Sequence, residues 1–170
     1  MKIKKGIPLI DQHDKKNGLW GGKFGGSFIP ETLKKPVEDL TNLFAKARKD
    51  KKFIKERDYY YTNWVHKGPT PFIKLENLTE LLDGAQVWAK VVSNARGGAH
   101  KIYGAITAAM LCKRMGKKYL VTDTGAGYNG KMFSIAAKHF SLKLKVFMGY
   151  KDTLRQKPNC DAMRANGAEI

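Results

Sequence analysis

Two short stretches carry the residue types from which chemistry could be built. The first is Gly97-Gly98-Ala99-His100-Lys101, which sets a lysine at the start of a helical pattern, directly after small residues. The helix dipole is positive at that end, so it disfavours a cation and tilts the amine towards its neutral, nucleophilic form. A neutral amine is what an aldehyde cofactor needs to form a Schiff base. An exposed lysine that merely begins a helix fits the local sequence equally well. The second stretch is TDTGAGYNG, residues 122–130, whose Gly125-Ala126-Gly127-Tyr128-Asn129-Gly130 satisfies the pattern G-x-G-x-x-G. A glycine loop between a strand and a helix turns backbone N–H groups and the helix N-terminus towards an anion, whatever that anion is.

A dinucleotide site needs more than the loop. It needs an acidic residue about 20 positions on, at the end of the second strand, to bind the ribose. That strand ends here in Met148-Gly149-Tyr150-Lys151, with Asp152 just beyond. Lys151 suits at most a 2′-phosphate, and Tyr128 is bulky for such a loop. The glycine pattern by itself is weak evidence for a nucleotide.

The elements that must position these residues follow from periodicity. Pro30-Glu31 introduces a helix with Leu33, Val37, Leu40 and Phe44 at near-helical spacing and Pro36 in its first turn. A charged run, 46–57, leads to Tyr59-Tyr60-Tyr61 and Trp64. Gly68-Pro69-Thr70-Pro71 breaks the chain, a short helix covers 76–82, and Asp83-Gly84 closes it. QVWAKVV, 86–92, reads as a strand and 93–98 as a loop. The next helix carries Ile102, Ala105, Ile106, Ala109 and Met110 on one face and stops at Gly116. Then come a strand at 118–121, the glycine loop, a helix at 131–142 with Met132, Ile135, Ala136 and Phe140 as its stripe, a strand at 144–148 and a helix at 154–166. Gly167-Ala168-Glu169-Ile170 reads as a helix stop followed by a strand just begun, as though the chain ends within a fold. Such alternation indicates an α/β protein with an open parallel sheet flanked by helices. Lys101 and the glycine loop both follow strands, so they are expected to meet in one cleft at the carboxyl ends of the sheet.

Composition sets the bounds. With 170 residues, 42% hydrophobic and 28% charged, the chain suits a single folded domain with a basic extension over about 1–20. Its apolar runs are too short to cross a bilayer, and the N-terminus lacks the apolar core of a signal peptide. The net charge of +17 invites a nucleic-acid reading. However, the lysines run from Lys2 to Lys157 in ones and twos, without arginine clusters, which favours a solvated surface over a nucleic-acid footprint. Cys112 and Cys160 lie far apart without metal-ligand spacing; Cys112 falls on the apolar side of its helix, and a reducing cytoplasm fits.

Several motifs in order resemble one family. GKFGGSFIPETL (22–33), GPTPF (68–72), GGAHK (97–101), AAMLCKRMGKK (108–118), DTGAGYNG (123–130), MGYKD (148–152), RQKPN (155–159) and MRANGAEI (163–170) are similar to the N-terminal part of the tryptophan synthase beta chain family, pyridoxal-phosphate enzymes of fold type II. The resemblance covers 22–170. It implies that Lys101 forms the Schiff base with pyridoxal 5′-phosphate and that His100 lies beside the cofactor phosphate. It implies further that Asp123 holds the position of the family's catalytic glutamate. Thr124, Gly125, Ala126, Gly127, Tyr128 and Asn129 would form the loop that grips the substrate carboxylate, with no metal involved. The implied reaction forms L-tryptophan from L-serine and indole, and the implied partners are an alpha chain and a second beta chain.

The sequence departs from that pattern at functional positions. The family's K-R-E-D run is Lys90-Val91-Val92-Ser93, its asparagine two places after the lysine is Tyr103, and its Gln-His pair is Tyr128-Asn129. Asp123 is one methylene shorter than glutamate, and a displacement of about 1 Å can cost on the order of a hundredfold in rate. The resemblance implies that the family's C-terminal domain, with its phosphate cradle, is expected to be missing from these 170 residues. The expectation is therefore a piece or degenerate copy with weak or no activity alone. The alternatives are another fold type II lyase acting on serine, threonine or cysteine, and a basic binding module without chemistry.

Overall fold

A computed structural model of the chain describes residues 4–14, 18–26 and 28–170. Residues 1–3 and 15–17 of the expected basic extension, and Ser27 of the GKFGGSFIPETL motif, lie outside the described residues. The chain divides into two compact units, Met1–Asn42 and Leu43–Ile170.

The first unit holds a small antiparallel meander of β1 (His13–Asp14), β2 (Leu19–Trp20) and β3 (Phe24–Gly25). The side chain of Gln12 is buried there, bonding Lys4 and Ile7 along the backbone. Helix α1, Glu31–Ala47, begins in this unit; Pro36 falls in its second turn rather than its first, because the helix starts immediately after Pro30.

In the second unit, Asp50, inside the charged run 46–57, caps helix α2 (Lys51–Tyr59), accepting from Lys52 N at 2.8 Å and Phe53 N at 3.4 Å. The aromatic run Tyr60–Val65 continues as a π-helical turn. Strand β4 (Phe72–Lys74), helix α3 (Glu76–Leu82) and strand β5 (Trp88–Lys90) follow. Here the structure corrects the expectation: β5 is not a member of the parallel sheet but pairs antiparallel with β4. Seven-residue α3 is too short to carry the chain across a sheet, so β5 returns directly beside β4. Stacking of Phe72 on Trp88, 5.0 Å between centroids, fixes the pair.

The parallel sheet proper is β6 (Tyr119–Asp123), β7 (Lys143–Phe147) and β8 (Ala168–Glu169), in that order. Its pleat turns Leu120, Leu144, Val146 and Ala168 inward, and Tyr119, Val121 and Phe147 outward to an exposed face. Helix α5 (Tyr128–His139) packs on β6 and β7. Helix α4 (Lys101–Arg114) packs on α5, with all five residues of its stripe buried. Ile102 and Ile106 are wholly buried, each contributing about 1.5–3 kcal/mol of transfer free energy. The helix expected over 154–166 is instead two, α6 (Tyr150–Arg155) and α7 (Lys157–Ala165). Pro158 lies at the start of α7, where it lacks an N–H to continue α6 and restrains the residue before it. Cys112 is buried as expected; burial pushes its thiol up, and Sγ donates to the Tyr119 carbonyl.

Candidate active site

The glycine loop begins where β6 ends. The N–H of Thr124 still pairs across the sheet with Phe147 O at 3.0 Å, and its Oγ1 then accepts from Gly127 N at 3.1 Å, closing a tight turn. Gly127 sits at φ 86°, a left-handed conformation that favours glycine, and it is the N-cap of α5. Helix α5 starts at Tyr128, three residues earlier than the sequence suggested. In consequence the N–H groups of Tyr128, Asn129 and Gly130 are first-turn donors, and they have no acceptor among the described residues. Those of Gly125 and Ala126 are likewise without one. At Gly130 an added Cβ would collide with Met163 Sδ and lie 3.2 Å from Val146 Cγ1, so a glycine is needed for α5 to approach the sheet.

Lys101 reaches the same region by another route. Two 3-10 turns, Val92–Asn94 and Arg96–Gly98, carry the chain from β5 into α4. Gly97 (φ 81°) lies against α5, with its missing Cβ position 2.5 Å from Met132 Cε and 2.9 Å from Ile135 Cδ1. The contact between this turn and α5 sets where Lys101 begins its helix. The expected convergence is thus present, but only the glycine loop comes from an end of the parallel sheet; Lys101 arrives on a helix that follows the β4–β5 pair.

Lys101, Asp123, Thr124, Gly125, Ala126, Tyr128 and Asn129 together line one open cleft of ≈ 360 Å³. Neither Lys101 Nζ nor the Asp123 carboxylate has a hydrogen-bond or ion-pair partner among the described residues. Asn129 is differently occupied: its Nδ2 donates to Thr122 Oγ1 at 2.8 Å and to Asp123 O at 2.9 Å, tying the end of β6 to the start of α5. Gly127 and His100 do not line the cleft; Gly127 is buried, and His100 is the exposed residue before α4.

Three further residues, Asn159, Tyr103 and Lys90, shape the surroundings. Asn159, at the start of α7, donates from Nδ2 to Ala126 O at 2.9 Å across 33 residues of chain. Tyr103, where the resemblance leads one to expect asparagine, turns to the π-helical segment: its hydroxyl meets His66 Nε2 at 2.9 Å and its ring meets Tyr61 edge-on. Burial, with Tyr61 adding to it, pushes the Tyr103 hydroxyl up. Lys90 donates to Thr70 O of the GPTPF segment at 2.6 Å.

An unpartnered amine and a row of unpartnered N–H donors share one cleft. Comparison with known proteins decides what this combination belongs to. The family model described as "Pyridoxal-phosphate dependent enzyme" matches residues 64–170, from the end of the π-helical segment to the last residue of the chain. The chain belongs to this family. Among the relatives of this pyridoxal-phosphate family member, a protein called tryptophan synthase beta chain from Pseudomonas syringae pv. syringae (strain B728a) is 42% identical over 154 residues. Another of that name, from Pseudomonas savastanoi pv. phaseolicola, is 41% identical over 154 residues. In both cases the match takes in 91% of this chain and 37% of the relative. The chain therefore spans little more than a third of their length. The cleft suits the family's cofactor: it offers one amine for an aldehyde and several donors for an anionic group. No cluster of metal-ligating residues and no helix long and apolar enough to cross a membrane occurs among the described residues.

Proposed function

We propose that this cleft is the amino-acid-binding side of a tryptophan synthase beta site, which joins L-serine to indole to give L-tryptophan. The observation that carries the proposal is the meeting of Lys101, Asp123 and the glycine loop in one cleft. Lys101 would hold pyridoxal 5′-phosphate covalently through Nζ, with His100 towards its phosphate. The cofactor, when bound, supplies an electron sink for charge developing at the substrate α-carbon.

The chain's own residues supply the rest. The N–H groups of Gly125, Ala126, Tyr128 and Asn129 bind the serine carboxylate, helped by the positive end of α5. Thr124 and Gly127 hold the turn that presents them. Asp123 hands a proton to the departing β-hydroxyl of serine and accepts one from the incoming indole nitrogen. Departures at Val91, Val92, Tyr103, Asp123, Tyr128 and Asn129 fit slow turnover. By the same likeness, the partners are an alpha chain and a second beta chain in an alpha2beta2 assembly, in the cytoplasm.

Titration of the purified protein with pyridoxal 5′-phosphate, followed by its visible absorbance, tests the assignment. One equivalent is expected to bind with a band that Lys101→Ala removes. In so lysine-rich a chain the surface amines also react, and a band of equal strength in the variant would overturn the role of Lys101.

A further inference from the structure

A second open cleft, of ≈ 340 Å³, lies between α2 and α4 and shares no residue with the first. That volume is at the lower end for small-molecule sites, roughly 300–1,000 Å³. Its floor is apolar and fixed. Phe53 and Met110 are 5% and 4% exposed, and Phe140 is held edge-on by Tyr60, 5.1 Å between centroids. Arg114, on the wall, is already committed: it pairs with the Asp50 carboxylate and lies over the Phe53 ring at 5.1 Å.

Three charged heads are left on the rim, Lys52 and Glu56 from α2 and Lys113 from α4. Lys52 and Glu56 stand one helical turn apart, a spacing at which opposite charges commonly pair. Neither forms an ion pair among the described residues, and nor does Lys113. A simple anion seated here would face the Glu56 carboxylate, and a simple cation would face two ammonium groups. A ligand with both charges close together on an apolar body answers all three heads at once.

We propose that the α2–α4 cleft binds an apolar α-amino acid as its zwitterion. The carboxylate meets Lys52 and Lys113, the ammonium meets Glu56, and the side chain covers the Phe53–Met110–Phe140 floor. This site is separate from the Lys101 cleft and independent of the cofactor.

Met110 provides a local reporter, because no methionine lines the Lys101 cleft. In protein carrying methyl-labelled methionine, the Met110 signal is expected to shift and saturate with L-phenylalanine. Benzoate and phenethylamine carry a similar ring with one charge each. They are expected to bind about tenfold more weakly, the worth of one charge-assisted hydrogen bond. Glu56→Gln is expected to bring L-phenylalanine down to the level of benzoate, and Lys113→Met to weaken both about tenfold. Lys101→Ala, although it removes the cofactor band, is expected to leave the Met110 titration unchanged. A Met110 signal unmoved by L-phenylalanine would overturn the proposal. So would benzoate binding as tightly as the amino acid, an unchanged titration in Lys113→Met, or loss of the shift in Lys101→Ala.

Discussion

The side-chain amide of Asn159 donates to the carbonyl of Ala126 at 2.9 Å, which fastens the start of α7 to the middle of the glycine loop. The same asparagine limits what can stand next in the loop. A Cβ added at Gly127 would lie 2.6 Å from Asn159 Cβ, a distance that backbone must move to relieve. The loop thus keeps its N–H groups of Gly125 and Ala126 unspent because its carbonyl side is bound from below by α7.

Gly127→Ala is accordingly expected to lose stability from two sources. The left-handed conformation costs a residue with a Cβ about 1–2 kcal/mol, and the contact with Asn159 adds to it. In an Asn159→Gly background, which removes the Cβ that the new methyl would meet, the steric part disappears and the strain remains. Urea denaturation of the four proteins should give a coupling of about 1 kcal/mol between the two sites. A penalty for Gly127→Ala that is the same in both backgrounds would mean that the two residues do not touch.

Gly97→Ala probes the other arm of the cleft. The new methyl would press on Met132 and Ile135, and Met132 is wholly buried with little room to retreat. A destabilisation of about 1–3 kcal/mol is expected from overpacking, before the cost of the positive φ. The turn can escape only by lifting off α5, which moves Lys101. Slower reaction of Lys101 with pyridoxal 5′-phosphate should therefore accompany the loss of stability.

Acid should weaken the second unit through Asp50. The Arg114 guanidinium beside it, and then the Lys52 N–H, hold its carboxyl below the ordinary value of 3.8. As pH falls the unfolded chain takes up this proton first, so stability present above 3.8 is lost as pH drops through the lower folded value. Asn caps a helix as well as Asp does, so Asp50→Asn keeps the α2 cap and removes only the charge. Thermal midpoints measured against pH should fall less steeply in the variant on the acid side. High salt should reduce the difference, since the pair is partly exposed.

What the sequence could and could not reveal follows from how far each determinant reaches. The stripe Ile102, Ala105, Ile106, Ala109 and Met110 is legible because one helical period decides it, and all five are buried. Lys101 and loop 123–130 are legible because residue type and a glycine turn are local properties. The pairing of Trp88–Lys90 is not, since a strand pattern names no partner and the stack on Phe72 lies across a hairpin. Pro158 is plain in the sequence, yet the break before it falls inside the helix expected over 154–166. Nothing local marks Asn159, whose partner is 33 residues away. Nor does anything local show that the side-chain amide of Asn129, which lines the cleft, also donates to Thr122 and Asp123 within the fold.

Asp123 provides the sharpest test of the proposed chemistry. Its backbone carbonyl is held by Asn129, while its carboxylate, in the cleft with Lys101, has no partner among the described residues. A free carboxylate anchored by its own backbone is a suitable proton carrier, and such a group is worth roughly 10²–10⁴-fold in rate. In protein loaded with pyridoxal 5′-phosphate, Asp123→Asn should leave the visible band intact and lower release of pyruvate from L-serine about a hundredfold or more. Asp123→Glu restores the acid that the resemblance leads one to expect and should release pyruvate faster than the unsubstituted protein. Loss of the band in Asp123→Asn would assign the residue to cofactor binding rather than proton transfer. Undiminished pyruvate release in that variant would remove Asp123 from the mechanism altogether.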